Sequence, residues 1–155
     1  MSTSAIRIAE AADVPAIMRC AELAYEKYVE RIGKKPMPMI QDFGKAVADR
    51  IIWVVETDGV LAGFMIAYEK TQNSLHVENV AVPPEHQGKG LGRQLLAFAE
   101  EIAHERGLPQ IDLYTNEKMT ENLALYPRLG FAETDRREED GFARVYYEKR
   151  LGDWQ

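Results

Sequence analysis

The chain has 155 residues, of which 46% are hydrophobic and 28% are charged, and its formal net charge at pH 7 is −6. This length and composition predict one soluble globular domain, residues 1–155, with no room for a second. The negative net charge argues against general binding to nucleic acid or to anionic membranes, because both depend on basic surfaces.

Targeting and metal-binding signals are weak in this sequence. The N-terminal segment Met1–Arg7 has no apolar signal core and no later run is long enough to span a bilayer, so we expect a cytoplasmic protein. Cys20 is the only cysteine, which excludes an internal disulfide and predicts a small hydrophobic residue packed on a helix. Three histidines without an H-x-x-H grouping imply no metal.

The first part of the chain predicts one strand and two helices. Residues 5–9 alternate as a strand does, and Asp13 followed by Pro15 is typical of a helix N-terminus. We expect a helix of several turns from there. The prolines and the glycine of residues 33–39 predict an ordered but mobile loop, and a second short helix is expected at residues 43–49.

Three carboxylates of the first predicted helix, Glu22, Glu26 and Glu30, lie on one face if the helix continues that far. Solvated surface is the simpler interpretation. An acidic wall that attracts an amine is the alternative.

A hairpin and a third strand follow. Asp58-Gly59 stands between β-rich runs at residues 51–56 and 60–68, which is the strongest local signal for a two-residue hairpin. Residues 72–74 predict the next turn. Residues 75–82 predict a strand that stops at Pro83, because proline cannot donate a hydrogen bond to a sheet.

A glycine-rich segment follows that strand. Gly88, Gly90 and Gly92 let backbone N–H groups approach a ligand without a Cβ in the way. Apolar residues at helical spacing predict that a helix begins in this segment: Leu91, Leu95, Phe98 and Ile102. The first N–H groups of a helix are unpaired and its dipole is positive there, so the segment predicts a phosphate-binding loop.

Two common phosphate-binding loops do not fit the spacing. A Walker loop needs a hydroxyl after its Gly-Lys pair, and Gly90 stands in that place. A dinucleotide-binding loop needs a third small residue where the chain has Arg93. A tight strand-to-helix connection without a ligand is the remaining alternative.

The last part of the chain predicts four further elements. Gly107 marks a helix C-cap, and a strand at residues 111–115 is expected to pair in parallel with the 75–82 strand through a crossover helix. A helix is predicted at residues 119–129. Two strands, at 131–137 and 142–151, flank a charged turn.

Two segments resemble signatures of the GNAT superfamily of N-acetyltransferases. Gln87–Gly92 is similar to its Q/R-x-x-G-x-G/A loop, and Asn122–Phe131 is similar to its helix with Leu-Tyr followed by Leu-Gly-Phe. The order of predicted elements matches that fold over nearly the whole chain. The resemblance implies an α/β (α+β) fold, with a mixed central sheet of about seven strands flanked by about four helices.

The family resemblance also implies an activity and a co-substrate. It implies acetyl-CoA-dependent transfer of an acetyl group to a primary amine by direct attack on the thioester. In the family the loop binds the pyrophosphate of acetyl-CoA, and the pantetheine arm lies between the separated strands that correspond to residues 75–82 and 111–115. This assigns cofactor binding to Val80 and Val82 through their backbone and to Gln87, Gly88, Lys89, Gly90, Leu91, Gly92 and Arg93.

Two residues are candidates for proton transfer. Tyr126 matches the family tyrosine that acts as general acid towards the departing thiolate, and a phenol with a reference pKa of about 10 is protonated at neutral pH. A half-buried core aromatic is the alternative interpretation. Glu78 lies on the strand before the loop and is the candidate base, with His76 on the same face or a water chain as alternatives.

The second signature departs from the family at one position. Met119 stands where the family usually has an asparagine. Asn122, one turn later on the same helix face, is the candidate replacement for the cofactor contact. Asn116 is the alternative.

A non-catalytic acyl-CoA-binding sensor or partner module is the rival interpretation of the whole chain. For the enzyme, the expected acceptor is a small-molecule or peptide amine whose identity the sequence does not specify. We expect no nucleic-acid or membrane partner. The family resemblance implies a homodimer, because small members of this family often pair through terminal strands.

Overall fold

The computed structural model describes residues 4–71 and 73–152. These residues fall into two compact units. The first unit comprises the residues up to Ala67 together with Glu78–Phe98, and the second comprises Tyr68–Val77 together with the residues from Ala99 onwards. The prediction of a single domain stays a prediction.

The described residues form seven β-strands and five α-helices, and the strands pair in the order β1-β2-β3-β4-β5-β7-β6. The strands are β1 Ser4–Ile8, β2 Ile52–Thr57, β3 Val60–Thr71, β4 Ser74–Ala81, β5 Gln110–Asn116, β6 Ala132–Glu139 and β7 Phe142–Arg150. The helices are α1 Val14–Ile32, α2 Met37–Ile40, α3 Phe43–Ala48, α4 Leu91–Glu105 and α5 Thr120–Arg128. This mixed sheet confirms the predicted fold class, with five helices in place of about four. None of the helices in the described part of the chain is long and apolar enough to cross a membrane.

The first unit contains the antiparallel strands β1, β2 and the first part of β3. Asp58 and Gly59 both have positive φ, at 52° and 81°, and Thr57 pairs with Val60 across them. Two consecutive residues of positive φ are what a type I′ turn requires. The predicted Asp-Gly hairpin is therefore confirmed.

Helix α1 begins where the sequence predicts, but Asp13 does not cap it with its side chain. The carboxylate of Asp13 accepts hydrogen bonds from the Arg7 guanidinium at 2.8 and 2.9 Å and from the Glu10 backbone N–H at 2.7 Å. Gly33 ends the helix in the left-handed region at φ 87°, as expected for a C-cap glycine. Glu22, Glu26 and Glu30 are all exposed.

The prediction of a loop at residues 33–39 was partly wrong, because this segment contains the start of the short helix α2. Pro36 occupies the N-cap and Pro38 lies in the first turn of this helix. At these positions a helix needs no N–H donor, so proline starts the helix rather than breaking it. Asp42 then caps α3 by accepting a hydrogen bond from the Lys45 backbone N–H at 3.0 Å.

Gly63 on β3 lies against the end of β4 within the first unit. A Cβ at this position would be 2.9 Å from the Ala81 carbonyl oxygen and 3.1 and 3.2 Å from methyl groups of Val55 and Val82. The nearest atom is backbone and cannot move aside at low cost. The glycine therefore allows β3 to approach the last residues of β4 closely.

We expect Gly63→Ala to lower the free energy of unfolding by about 1–3 kcal/mol, because the added methyl group overpacks this contact. Gly44→Ala is the matched control, since a Cβ there meets only Asp42, at 3.4 Å, and Gly44 lies within α3. It is expected to raise the free energy of unfolding by up to about 1 kcal/mol through helix propensity. Urea denaturation measures both, and an unchanged midpoint for Gly63→Ala would contradict the steric argument.

The second unit contains the parallel pair of β4 and β5 and the antiparallel strands β5, β7 and β6. The parallel register runs from Ser74 opposite Gln110 to Val77 opposite Leu113. This confirms the predicted crossover connection, whose helix ends before Gly107 at φ 71°. The predicted separation of the two strands further along stays a prediction.

The sequence predicts two turns that connect strands of the second unit. The charged turn was expected over residues 138–141, but Glu138 and Glu139 belong to β6 and the turn is Asp140-Gly141 alone. Both turn residues have positive φ, at 52° and 80°, so this is a second hairpin of the Asp-Gly type. The other predicted turn, at residues 72–74, includes Gln72, which lies outside the described residues.

Candidate functional site

The glycine-rich loop of the first unit lies between β4 and α4. Gly88 and Gly90 have φ of 84° and 76°, a region that residues with a Cβ rarely adopt. A Cβ added at either position would meet no atom within 4 Å, so the glycines face open space. Helix α4 starts directly afterwards at Leu91. An exposed loop of this conformation at the N-terminus of a fifteen-residue helix suits an anionic ligand.

The side chains of the loop have different environments. Gln87 donates from Nε2 to the Val82 carbonyl oxygen at 2.9 Å, so two residues predicted to bind the cofactor are bonded to each other. The Lys89 ammonium lies 3.3 Å from His86 Nδ1. Leu91 is 3% exposed and packs in the core, so its backbone N–H is the group that could serve a ligand. Arg93 is exposed in the first turn of α4.

A chain of four polar side chains connects α1 and the α2–α3 segment to β4 in the first unit. The Tyr25 hydroxyl donates to Asn79 Oδ1 at 2.5 Å, and Asn79 Nδ2 donates to Gln41 Oε1 at 2.8 Å. Gln41 Nε2 in turn donates to Glu78 Oε2 at 3.4 Å. Asn79 Nδ2 also donates to the Pro38 carbonyl oxygen at 3.0 Å. The candidate base Glu78 is half-buried. It lies at the end of this hydrogen-bond chain.

This hydrogen-bond chain was not predicted from the sequence, although β4 contains a signal for it. Asn79 is 3% exposed, on a strand of mostly buried residues. A buried amide needs hydrogen-bond partners, so a polar side chain on the inward face of such a strand predicts a network. Its partners Tyr25 and Gln41 are distant in sequence, and no local pattern identifies them.

Tyr126 lies in the second unit, on the last turns of α5, and is 8% exposed. Its ring centroid is 5.5 Å from that of Tyr147 on β7 and 5.8 Å from that of Phe131. The Tyr126 carbonyl oxygen accepts the Phe131 N–H at 3.1 Å, which fixes the turn after the helix. The aromatic ring is thus held firmly by its neighbours.

The two asparagines proposed to replace the family asparagine are bonded within the second unit. Asn122 donates from Nδ2 to Thr115 Oγ1 at 3.0 Å. Asn116 accepts the Lys118 backbone N–H at 2.9 Å. Met119, where the family usually has asparagine, is 3% exposed, with its sulfur 3.4 Å from Thr115 Oγ1.

His76, the alternative base, belongs to the second unit and is 2% exposed. Its Nδ1 lies 2.6 Å from Asp112 Oδ1, and Asp112 also accepts a hydrogen bond from the Ser74 hydroxyl. The imidazole ring contacts Tyr68 and Tyr114, with centroid distances of 5.5 and 5.6 Å. His76 is therefore a buried histidine whose ring is held in place by the Asp112 carboxylate.

Burial raises the pKa of Asp112, but hydrogen bonds from His76 and Ser74 and the charges of His76 and Lys70 outweigh it, so the net shift is downward. A folded-state pKa below the unfolded value of about 3.9 stabilises the folded protein above that pH, and this contribution is lost as the pH falls through the folded pKa.

We therefore expect Asp112→Asn to lower the free energy of unfolding by about 1–3 kcal/mol at pH 7, because His76 and Ser74 lose a charged acceptor. The difference from wild type should shrink below about pH 4. Urea denaturation at several pH values measures it. The control is Asp49→Asn, which removes an exposed ion pair with Lys45 and should change stability little. A pH-independent difference would contradict the role of the Asp112 charge.

Cys20 is buried on α1, with its sulfur 3.9 Å from the Ala81 carbonyl oxygen. Burial, with a smaller contribution from the charge of Glu85, raises the pKa of its thiol to about 12. A thiol of this pKa is not a nucleophile at neutral pH. The predicted packing role of Cys20 is confirmed.

Comparison with known proteins gives matches in sequence and in structure. Streptothricin acetyltransferase of Streptomyces lavendulae is 36% identical over 90 residues, covering 57% of this chain and 48% of the relative. The chain thus spans about half the length of that relative.

Two solved structures show the fold. Ard1 from Thermoplasma volcanium has a TM-score of 0.79 at 16% identity, covering 97% of this chain and 99% of that one. The PaiA N-acetyltransferase from Thermoplasma acidophilum, in complex with coenzyme A, has a TM-score of 0.75 at 19% identity, covering 96% and 99%. The model of the acetyltransferase (GNAT) family matches residues 17–131, which is more than half of the sequence, and the chain therefore belongs to this family.

Proposed function

We propose that the chain is an acetyl-CoA-dependent N-acetyltransferase that acts on a primary amine. The observation that carries the proposal is the open loop of positive-φ glycines at the start of α4, in a member of the GNAT family. Acetyl-CoA, when bound, supplies the acetyl group as a thioester and presents a pyrophosphate to the protein. The acceptor is a small-molecule or peptide amine.

The loop is the proposed site for the pyrophosphate. Gly88 and Gly90 leave space for phosphate oxygens beside the backbone, and the N–H groups of the first turn of α4 point out of the helix end. Lys89 and Arg93 add positive charge near the loop. We propose that Gln87 and Gly92 shape it, and that Val80 and Val82 offer backbone groups.

Tyr126 is the proposed general acid, which gives its hydroxyl proton to the sulfur that leaves as coenzyme A. Its ring is packed against Tyr147 and Phe131, so the hydroxyl has a defined position. Asn122 is the proposed amide contact to the cofactor on the same helix, although its Nδ2 already donates to Thr115.

Glu78 is the proposed general base, which accepts a proton from the ammonium form of the acceptor. A neutral amine is the nucleophile, so one proton must leave the ammonium before attack. A second proton leaves the nitrogen when the amide forms, and it balances the proton that Tyr126 gives to the sulfur. Glu78 is half-buried and hydrogen-bonded to Gln41, whereas His76 is buried with Nδ1 on Asp112. These environments favour Glu78 over His76. A water chain ending on Glu78 would serve the same purpose.

Release of free thiol from acetyl-CoA tests the proposed function. The purified protein should release thiol slowly alone and faster with a panel of amines that includes polyamines, amino acids and peptides with a free N-terminus. A non-catalytic acyl-CoA-binding module would bind acetyl-CoA in calorimetry without any amine-dependent release, and that result would overturn the enzyme. A homodimer and a cytoplasmic location stay predictions from the sequence.

A further inference from the structure

The hydrogen-bond chain in the first unit points to a residue that supports the proposed base. We propose that Gln41 is a positioning residue that holds the Glu78 carboxylate for proton transfer, and that Asn79 and Tyr25 fix the orientation of Gln41. The inference rests on the proposed function, because it takes Glu78 as the base.

The orientation of the Asn79 amide is determined by its partners. Its Nδ2 donates to two oxygens, the Pro38 carbonyl at 3.0 Å and Gln41 Oε1 at 2.8 Å. Its Oδ1 accepts the Tyr25 hydroxyl at 2.5 Å. An amide rotated by 180° would place its oxygen against two acceptor oxygens, so only one orientation satisfies all three contacts.

The orientation of Gln41 follows from that of Asn79. Because Gln41 Oε1 accepts from Asn79, its NH₂ group must face the other way, where it donates to Glu78 Oε2 at 3.4 Å. The bonds from Asn79 through Gln41 therefore donate towards the carboxylate. The Tyr25 hydroxyl lies at the start of this chain, and its one proton has both Asn79 Oδ1 and the Val80 carbonyl oxygen, at 3.2 Å, as acceptors. Hydrogen bonds aligned in one direction polarise one another, and the last donor fixes the position of Glu78 Oε2.

The backbone around Gln41 makes this donor rigid. Gln41 directly follows α2, and the next residue, Asp42, is the N-cap of α3. The Asn79 bond to the Pro38 carbonyl attaches α2 itself to β4. The amide is thus fixed at both its backbone and its side chain, as expected of a group that sets the rotamer of another.

The test combines single and double variants in steady-state kinetics with acetyl-CoA and an amine found in the thiol-release screen. Gln41→Ala should lower kcat about tenfold and leave KM for acetyl-CoA within about twofold, since it removes a hydrogen bond to a charged group that acts in proton transfer. Gln41→Glu keeps the size but replaces the donor by a carboxylate, and should lower kcat at least as much.

A double-mutant cycle separates positioning from a general structural effect. If Gln41 acts through Glu78, Gln41→Ala should cause no further loss of kcat in a Glu78→Gln background. Gln94→Ala is the control for loss of a glutamine side chain, because Gln94 accepts a hydrogen bond from the Ser4 hydroxyl at 2.8 Å and takes no part in the proposed chemistry. It should keep the wild-type kcat. Thermal unfolding of each variant checks that the fold is retained.

Failure of this inference differs from failure of the proposed function. If Glu78→Gln lowers kcat but Gln41→Ala does not, or if the two losses multiply, the positioning role is overturned and the enzyme stands. No amine-dependent thiol release by the wild type would overturn the proposed function and the role of Gln41 together. Full activity in Glu78→Gln would remove Glu78 as base and Gln41 with it.

Discussion

Replacing Tyr126 by phenylalanine is expected to lower kcat for amine acetylation about 100-fold and to leave the affinity for acetyl-CoA nearly unchanged. The substitution removes the proton that a general acid gives to the departing sulfur, and general acids contribute about 10²–10⁴-fold to rate. It keeps the ring that packs against Phe131 and Tyr147. Thiol release at saturating amine measures kcat, and calorimetry measures acetyl-CoA binding.

Tyr147→Phe is the matched control for this prediction. Tyr147 is 3% exposed, its ring centroid lies 5.5 Å from that of Tyr126, and burial raises the pKa of its hydroxyl. The control removes one buried phenolic hydroxyl from the same aromatic group without touching the proposed acid. If both variants lose activity equally, the loss reflects packing. If Tyr126→Phe keeps its turnover, Tyr126 is a core aromatic, the alternative that the sequence left open.

Much of the fold could be predicted because the ends of its strands and helices depend on local backbone chemistry. Asp58-Gly59 supplies the positive φ angles of a hairpin, Pro83 cannot continue β4, and Gly107 follows α4 in the left-handed region. Each of these residues acts through its own φ or its own missing donor, so sequence alone reveals it. Predicted elements that rested on such residues agreed with the structure within a few positions.

The errors in the predicted fold arose where the surroundings of a residue, rather than its type, decide its secondary structure. Pro36 and Pro38 favour a loop over a helix, but at the N-cap and in the first turn of α2 they need no hydrogen-bond partner. The charge of Glu138 and Glu139 favours a turn, yet β6 extends through them by pairing with β7. An exposed strand of charged residues is stabilised by its neighbour, and its own composition does not reveal it.

The candidate site likewise has one part that the sequence predicts and one part that it does not. The glycine loop could be predicted, because glycine spacing before a helix is a local pattern with a direct physical reason. The Gln41 amide could not, since its orientation depends on Asn79 and Tyr25, which adjoin it only in the folded first unit. Residues that act through other residues are not marked by any characteristic spacing in the sequence.

Gly90→Glu is expected to weaken acetyl-CoA binding at least 100-fold while the protein stays folded. The new carboxylate would stand where the loop is proposed to hold phosphate, and two like charges about 4 Å apart repel by roughly 4 kcal/mol at an effective dielectric constant of 20. A change of about 1.4 kcal/mol is tenfold in Kd, so most of this repulsion suffices. Gly90→Gln has the same bulk without the charge and should lose less affinity.

Gly107→Glu is the control for backbone strain, because the φ of Gly107 is 71°, close to the 76° of Gly90, and a Cβ added at either position would have no atom within 4 Å. Forcing a residue with a Cβ into the left-handed region costs about 1–2 kcal/mol at either site. Both variants should therefore show similar thermal unfolding, but only Gly90→Glu should lose acetyl-CoA binding in calorimetry. Equal affinities in the two variants would mean that the glycines only form a turn between β4 and α4, and that the cofactor is bound elsewhere.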